Sequence, residues 1–249
     1  MSALIGGIMS INRYLIAGLK CEMDVRFDML RERSRKYLYP FSGKPDISLS
    51  ASDEKIEILR KRYKNLNDAQ REYMITSTYF YSALLDFGGF MLHSSAVSYN
   101  GKAYLFTADS GTGKSTHTRL WMQYLDGVEM INDDKPAVKI VDGRFCAIGT
   151  PWSGKTAANS DVTVPVGAVA LLRRSGAPYI KPAETSDAVR TLLKQTVIPP
   201  RPDGTEKLAV LLDKFIRSVP IFEFGCDISE RSLITSFEAM TKETYKRKS

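Results

Sequence analysis

The stretch Ala108-Asp109-Ser110-Gly111-Thr112-Gly113-Lys114-Ser115-Thr116 constrains this chain more than any other. It lies between an apolar run, Ala103 to Thr107, and a helical pattern from Lys114 to Leu125. A strand that ends in a glycine-rich turn and reopens as a helix beginning Lys-Ser has the form of a phosphate-binding loop. Gly111 and Gly113 permit backbone conformations that aim successive N–H groups at one point, where a helix N-terminus also favours an anion. Lys114 would then meet β- and γ-phosphates as a point charge, and the Ser115 hydroxyl would meet Mg²⁺. The expected phosphate-binding set is Ser110, Gly111, Thr112, Gly113, Lys114, Ser115 and Thr116. Ala108 stands where the pattern begins with glycine, which is acceptable if its φ stays negative.

The surroundings of the loop narrow the fold class. Met91 to Tyr99 has strand character, and Asn100-Gly101 signals a tight hairpin into the loop strand. Val128 to Ile131 is apolar enough for a buried strand. Asp142-Gly143 joins 137–141 to 144–148 in a second hairpin, and 166–172 and 220–224 add further strands. Helices are expected over 186–197, 205–219 and 229–245. From Asp53 to Phe87 the pattern is also helical, with Asp68 as a cap and Tyr73, Phe80, Tyr81, Leu84 and Leu85 on the inner stripe. Residues 39–52 are Ser-, Pro- and Gly-bearing and suit a loop or weak strand. Gly88-Gly89 closes the helical stretch. The division expected is therefore 1–87, an N-terminal α/β region packed on the core, and 88–249, carrying the phosphate loop. Two hairpins require mixed β-sheets around that loop in an α/β fold.

Composition excludes other classes. With 249 residues, 43 % hydrophobic and 25 % charged, the chain is neither disordered nor fibrous. Of its net charge of +7, three units come from the tail Lys242 to Lys248, so the body is only mildly basic and nucleic acid is not an expected partner. Cys21, Cys146 and Cys226 form no spaced pair, which suits reduced thiols rather than a disulfide framework or a zinc site. Met1 to Leu19 is interrupted by Asn12 and Arg13 and lacks a basic n-region and cleavage site. No apolar run approaches the roughly 20 residues needed to cross a bilayer. A cytoplasmic protein with no membrane partner is expected.

Three segments, Leu92-His93-Ser94-Ser95-Ala96-Val97, Ala103 to Thr116 and Ile131-Asn132-Asp133-Asp134, together resemble the catalytic core of HPr kinase/phosphorylase. The loop Ser110 to Ser115 is also similar to that of ATP-dependent phosphoenolpyruvate carboxykinase. The resemblance runs from about Met91 to Leu172. It implies the fold of the HPr kinase C-terminal domain and ATP and Mg²⁺ as cofactors. It also implies transfer of a phosphoryl group to a hydroxyl, here Ser or Thr of a peptide or protein. An aspartate of the pair would be the catalytic base. Asp133 takes that role in this reading and Asp134, with Ser115, holds the metal, although the two aspartates are interchangeable at this stage. The family also carries a histidine at a place comparable to His93, which joins Asp133 and Lys114 as a catalytic candidate; a packed core histidine is the other reading. His117 is expected to pack or cap.

The family's downstream Glu-x-Arg-Gly-x-Gly stretch has no counterpart over Val162 to Leu172, so the reverse, phosphate-removing reaction is not expected. A second glycine-rich run, Gly149-Thr150-Pro151-Trp152-Ser153-Gly154-Lys155-Thr156, does not have phosphate-loop spacing. Its Lys155 and hydroxyls would close over phosphate or acceptor with Trp152 beside the nucleotide, or the run is a structural turn. Two other functions fit the same residues: a nucleotide-binding regulatory module with little turnover, and a kinase of a small metabolite.

Overall fold

A computed structural model describes residues 11–199 and 201–248 of the chain. Two compact units divide between Phe80 and Tyr81. In the first, β1 (Ile11–Ile16) and β2 (Leu19–Asp24) form an antiparallel hairpin across Ala17-Gly18. Both turn residues have positive φ, 54° and 73°. After α1 (Asp28–Ser34), the short β3 (Ile47–Leu49) joins β2 in parallel. This hairpin is not legible from the apolar run at the N-terminus, whereas β3 falls in the segment expected to be loop or weak strand.

The helical stretch from Asp53 is two helices rather than one. Ser52 caps α2 (Asp53–Arg62) through the Lys55 amide. Asn67, not Asp68, caps α3 (Asp68–Leu84). The Gln70 amide donates to Asn67 Oδ1 and the Asn67 amide to Gln70 Oε1, both at 2.9 Å. This reciprocal pair satisfies two orphan donors where a lone aspartate would satisfy one. The inner stripe is buried as expected: Tyr73, Phe80, Tyr81, Leu84 and Leu85. The division between the units falls within α3.

In the second unit the run from Met91 to Tyr99 is broken. Residues of β4 (Gly89–Met91) pair with β8 (Ala137–Val141), while β5 (Ser94–Tyr99) pairs with β6 (Lys102–Thr107). His93 therefore lies in the break between strands and not within a strand. The Leu92 amide donates to Pro136 O and the His93 amide to Gln195 O, so the ladder is interrupted by bonds to other elements. Both hairpins form as their sequences require. Asn100-Gly101 and Asp142-Gly143, the latter joining β8 to β9 (Arg144–Ile148), have positive φ at both positions, as a two-residue turn between twisted strands demands.

Between the hairpins lie α4 (Lys114–Tyr124) and β7 (Glu129–Asn132), which pairs antiparallel with β5. The long β10 (Thr163–Arg174) then organises the sheet. Its start pairs antiparallel with β9, its middle runs parallel to β6, and its end runs parallel to β12 (Ile221–Cys226). The edge strand β11 (Tyr179–Pro182) was not apparent from the pattern; its Pro182 is tolerated because an edge needs no donor there. The fold class is thus α/β with a mixed, curled sheet.

Period-2 alternation decides what covers each face. From β6, Leu105 packs with Leu192 of α5 (Thr185–Lys194) and with Leu208, Leu212 and Phe215 of α6 (Gly204–Ser218). Its neighbours Tyr104 and Phe106 pack on the other face with Trp121 of α4 and with Leu233 and Phe237 of α7 (Glu230–Thr241). The sheet is therefore covered on both sides, and α4 is held rigidly against the strand from which its loop departs.

Candidate functional site

Strand β6 ends at Thr107, whose buried hydroxyl donates to His93 O at 2.9 Å. The chain then crosses the sheet edge as 108–113 and enters α4. Gly111 and Gly113 take φ of 79° and 122°, a range that side chains resist, so the glycines are required by the backbone itself. Ala108 is not among the described residues with positive φ, and alanine is accommodated at the first position. Gly113 caps α4 by accepting from the His117 amide at 2.9 Å.

Lys114 is only 8 % exposed. Its Nζ donates to Ala108 O at 2.8 Å and to Asp109 O at 3.4 Å, folded back over its own loop. Burial lowers its pKa, and the negative charges of Asp134, Asp109 and Asp133 oppose that drop. Those three carboxylates are thus the electrostatic surroundings of the ammonium. Asp109 is anchored from outside the loop by Lys194 Nζ at 2.7 Å and Gln195 Nε2 at 2.9 Å, and Arg174 Nη2 donates to Gly111 O at 2.6 Å. The Lys194 bond, first among the causes, depresses the Asp109 carboxyl.

The acid pair follows β7. Asn132, fully buried, accepts from the amides of Asp134 at 3.0 Å and Lys135 at 2.8 Å while its own amide donates to Thr150 O at 3.1 Å. This turn makes the two aspartate side chains diverge. Asp133 is buried and accepts from hydroxyls on both oxygens: Ser95 at 2.6 Å on Oδ1 and Thr156 at 3.0 Å on Oδ2. Asp134 meets nitrogens instead, His93 Nε2 at 3.0 Å and the Lys135 ammonium at 3.2 Å. Burial alone would raise the Asp134 pKa; the His93 bond and the Lys135 charge outweigh it, and the net shift is downward. His93 in turn faces Gln195 Oε1 through Nδ1 at 2.9 Å.

The second glycine-rich run lies against this pair. A Cβ at Gly154 would stand 2.7 Å from Asp134 Cβ, so glycine is what lets the turn approach. Trp152 is fully buried, edge-on to Tyr81 with centroids 5.7 Å apart, and cannot stack on a ligand. The expectation that it lies beside a nucleotide is corrected: an indole driven into the core has no face left for solvent-borne partners. The Tyr81 hydroxyl bonds Lys135 O and Thr150 Oγ1, which fixes the turn from below.

His117 packs, as expected for it, edge-on between Phe106 and Phe224. Its Nε2 meets Ser236 Oγ at 2.8 Å, and burial pushes its pKa down to about 3, so it is neutral. Next to the loop, His117 lines a hollow of about 400 Å³ with Thr116, Arg174, Cys226, Asp227 and Ile228, and neither aspartate of the acid pair is among its lining residues. Ile228 is 80 % exposed at its rim.

The fold gathers Lys114, the loop glycines, Asp133, Asp134 and His93 into one neighbourhood. Thr156, from the second glycine-rich run, and Arg174 belong to it too, as does Gln195, which the sequence pattern does not single out. Gln195 lies 102 positions from His93 and carries no local signal. Among the described residues no group of three or more His, Cys, Asp or Glu side chains could hold a metal ion by itself. No helix among them is long and apolar enough to cross a membrane.

The sequence matches no family model and has no significant match among curated proteins. Among solved structures, the HPr(Ser) kinase/phosphatase from Coxiella burnetii overlaps with 61 % of this chain and 99 % of its own, at 10 % identity and a TM-score of 0.36. An overlap that loose transfers no residue role from one chain to the other.

Proposed function

We propose that residues 81–249 form an ATP- and Mg²⁺-dependent phosphotransferase whose acceptor is a hydroxyl, that of Ser or Thr in a peptide or protein. The observation that carries this reading is the electrostatic company of Lys114: a buried ammonium at the start of a helix, surrounded by Asp109, Asp133 and Asp134. A phosphate cradle and an acid pair within one field are the two parts phosphoryl transfer requires of a protein.

In this reading 110–116 is a phosphate loop. Its amides and Lys114 hold the transferred end of the nucleotide, and Lys114 exchanges its bonds to Ala108 O and Asp109 O for phosphate oxygens. The nucleoside lies in the hollow beside Thr116 and Ile228. Asp133 orients the acceptor hydroxyl and takes its proton, a role suited to a carboxylate that already accepts from two hydroxyls. His93 and Lys135 keep Asp134 ionised. An ionised carboxylate and the Ser115 hydroxyl are the hard oxygen donors that Mg²⁺ selects when phosphates complete its shell. When bound, the ion neutralises charge on the phosphate oxygens. Positioning and charge stabilisation account for the rate, and no covalent intermediate on the protein is needed.

Two measurements test this. Calorimetry with Mg·ATP should give binding heat that Lys114→Ala abolishes. Transfer of γ-phosphate to Ser/Thr peptides should fall about 100-fold or more in Asp133→Asn, the range for loss of a general base. Equal transfer by both proteins removes Asp133 from the role, and binding without any transfer identifies a nucleotide-sensing module instead.

A further inference from the structure

Thr156 stands where an incoming alcohol would have to stand. Its Oγ1 donates to Asp133 Oδ2 at 3.0 Å, within the reach that general-base catalysis requires. Ser95 also reaches Asp133, but Ser95 is fully buried in β5 and bonded to Thr118, which makes it framework. Thr156, by contrast, is exposed, on a turn laid over the acid pair. Gly154 permits that close approach to Asp134, and the Asp133 amide donates to Ala158 O at 3.0 Å. The next residue, Ala157, sits at φ 54° without being glycine, a conformation that costs an alanine energy and is held here by its surroundings.

We infer that Thr156 is the chain's own phosphoryl acceptor. The inference rests on the phosphotransferase reading above, with a nucleoside triphosphate as donor. Thr156 Oγ1 attacks the γ-phosphorus. The new Oγ1–P bond forms as the bond from that phosphorus to the β–γ bridging oxygen breaks. The diphosphate leaves with the electron pair, and the threonine proton passes to Asp133 Oδ2. Phosphothreonine then carries nearly two negative charges beside Asp133 and Asp134. Asp133 then returns its proton to solvent, and repulsion between the phosphate and the two carboxylates drives the turn off the pair and frees Asp133 for another hydroxyl.

The test uses the full chain with Mg·ATP labelled at the γ position and phosphosite mapping by mass spectrometry. One phosphoryl group per chain is expected on Thr156, with a first-order rate constant independent of protein concentration. Thr156→Val and Asp133→Asn should lose it, and Thr156→Ser should keep it. Label on another residue, or a rate that rises with protein concentration, overturns the inference. Asp133-dependent ATP hydrolysis or peptide phosphorylation with Thr156 unlabelled overturns the inference alone. Absence of both nucleotide binding and transfer overturns the phosphotransferase reading as well. A readout without nucleotide completes the set: Thr156→Glu should speed amide hydrogen exchange over 153–158 at least tenfold, and unchanged exchange there rules out the expulsion step.

Discussion

His93 Nε2 and Asp134 Oδ1 lie 3.0 Å apart, and the rest of the network decides how that bond is made. The other ring nitrogen faces Gln195 Oε1 at 2.9 Å. Gln195 cannot be turned over, because its Nε2 donates to the Asp109 carboxylate at 2.9 Å. Each nitrogen of His93 therefore faces an oxygen, Asp134 Oδ1 on one side and Gln195 Oε1 on the other. One continuous chain of hydrogen bonds runs from the loop at Asp109, through Gln195 and His93, to the acid pair.

Breaking that chain at Gln195 should separate two effects. Gln195→Leu leaves His93 without its second acceptor, and kcat should fall about tenfold while the nucleotide KM changes little, as expected for a misoriented positioning group. Gln195→Glu keeps an acceptor for Nδ1 but sets a carboxylate against Asp109. Repulsion should then shift the loop and raise KM. Steady-state kinetics on the two variants distinguish these outcomes, and wild-type values for both would make the network purely structural.

The hollow beside Thr116 makes a claim about which part of a nucleotide it receives. Ile228 is too exposed to contribute to folding, so Ile228→Asp should leave the melting temperature unchanged. Covering about 50 Å² of its side chain with a base is worth about 1.3 kcal/mol, or about tenfold in affinity. Calorimetry should show that loss for ATP and none for inorganic tripolyphosphate, which has no nucleoside. Equal losses for both ligands would place the nucleoside elsewhere.

Stability should fall as the solution is acidified, through His117. Its pKa drops from 6.5 to about 3 in the folded protein because burial excludes the charged ring. Between those values the unfolded chain binds a proton that the folded chain refuses, so unfolding free energy rises with pH across the window. The slope is about 1.4 kcal/mol per pH unit well below 6.5. Urea midpoints measured from pH 7 down to 5 should decline, and His117→Phe, which cannot take up a proton, should decline less. An equal decline would assign the effect to carboxylates.

Much of the loop's construction was legible because it is local. Glycines at Gly111 and Gly113, a lysine at the helix start and the two Xaa-Gly hairpins act within a few residues of each other, where backbone sterics leave few alternatives. The apolar run from Ala103 to Thr107 likewise marks a buried strand, although its two faces, Leu105 on one and Tyr104 with Phe106 on the other, are distinguished only by packing.

Residue order alone did not reveal the break at His93, the burial of Trp152 or the partnership of Gln195. Each depends on bonds between segments tens of residues apart, and hydrogen-bond competition at the sheet edge leaves no periodic trace in the chain. The sequence determined that a glycine loop would open a helix and that two aspartates would follow a strand. Only the tertiary structure decided which aspartate meets His93 and Lys135 and which meets hydroxyls, because that choice depends on whose side chains the fold brings to either side of Asn132.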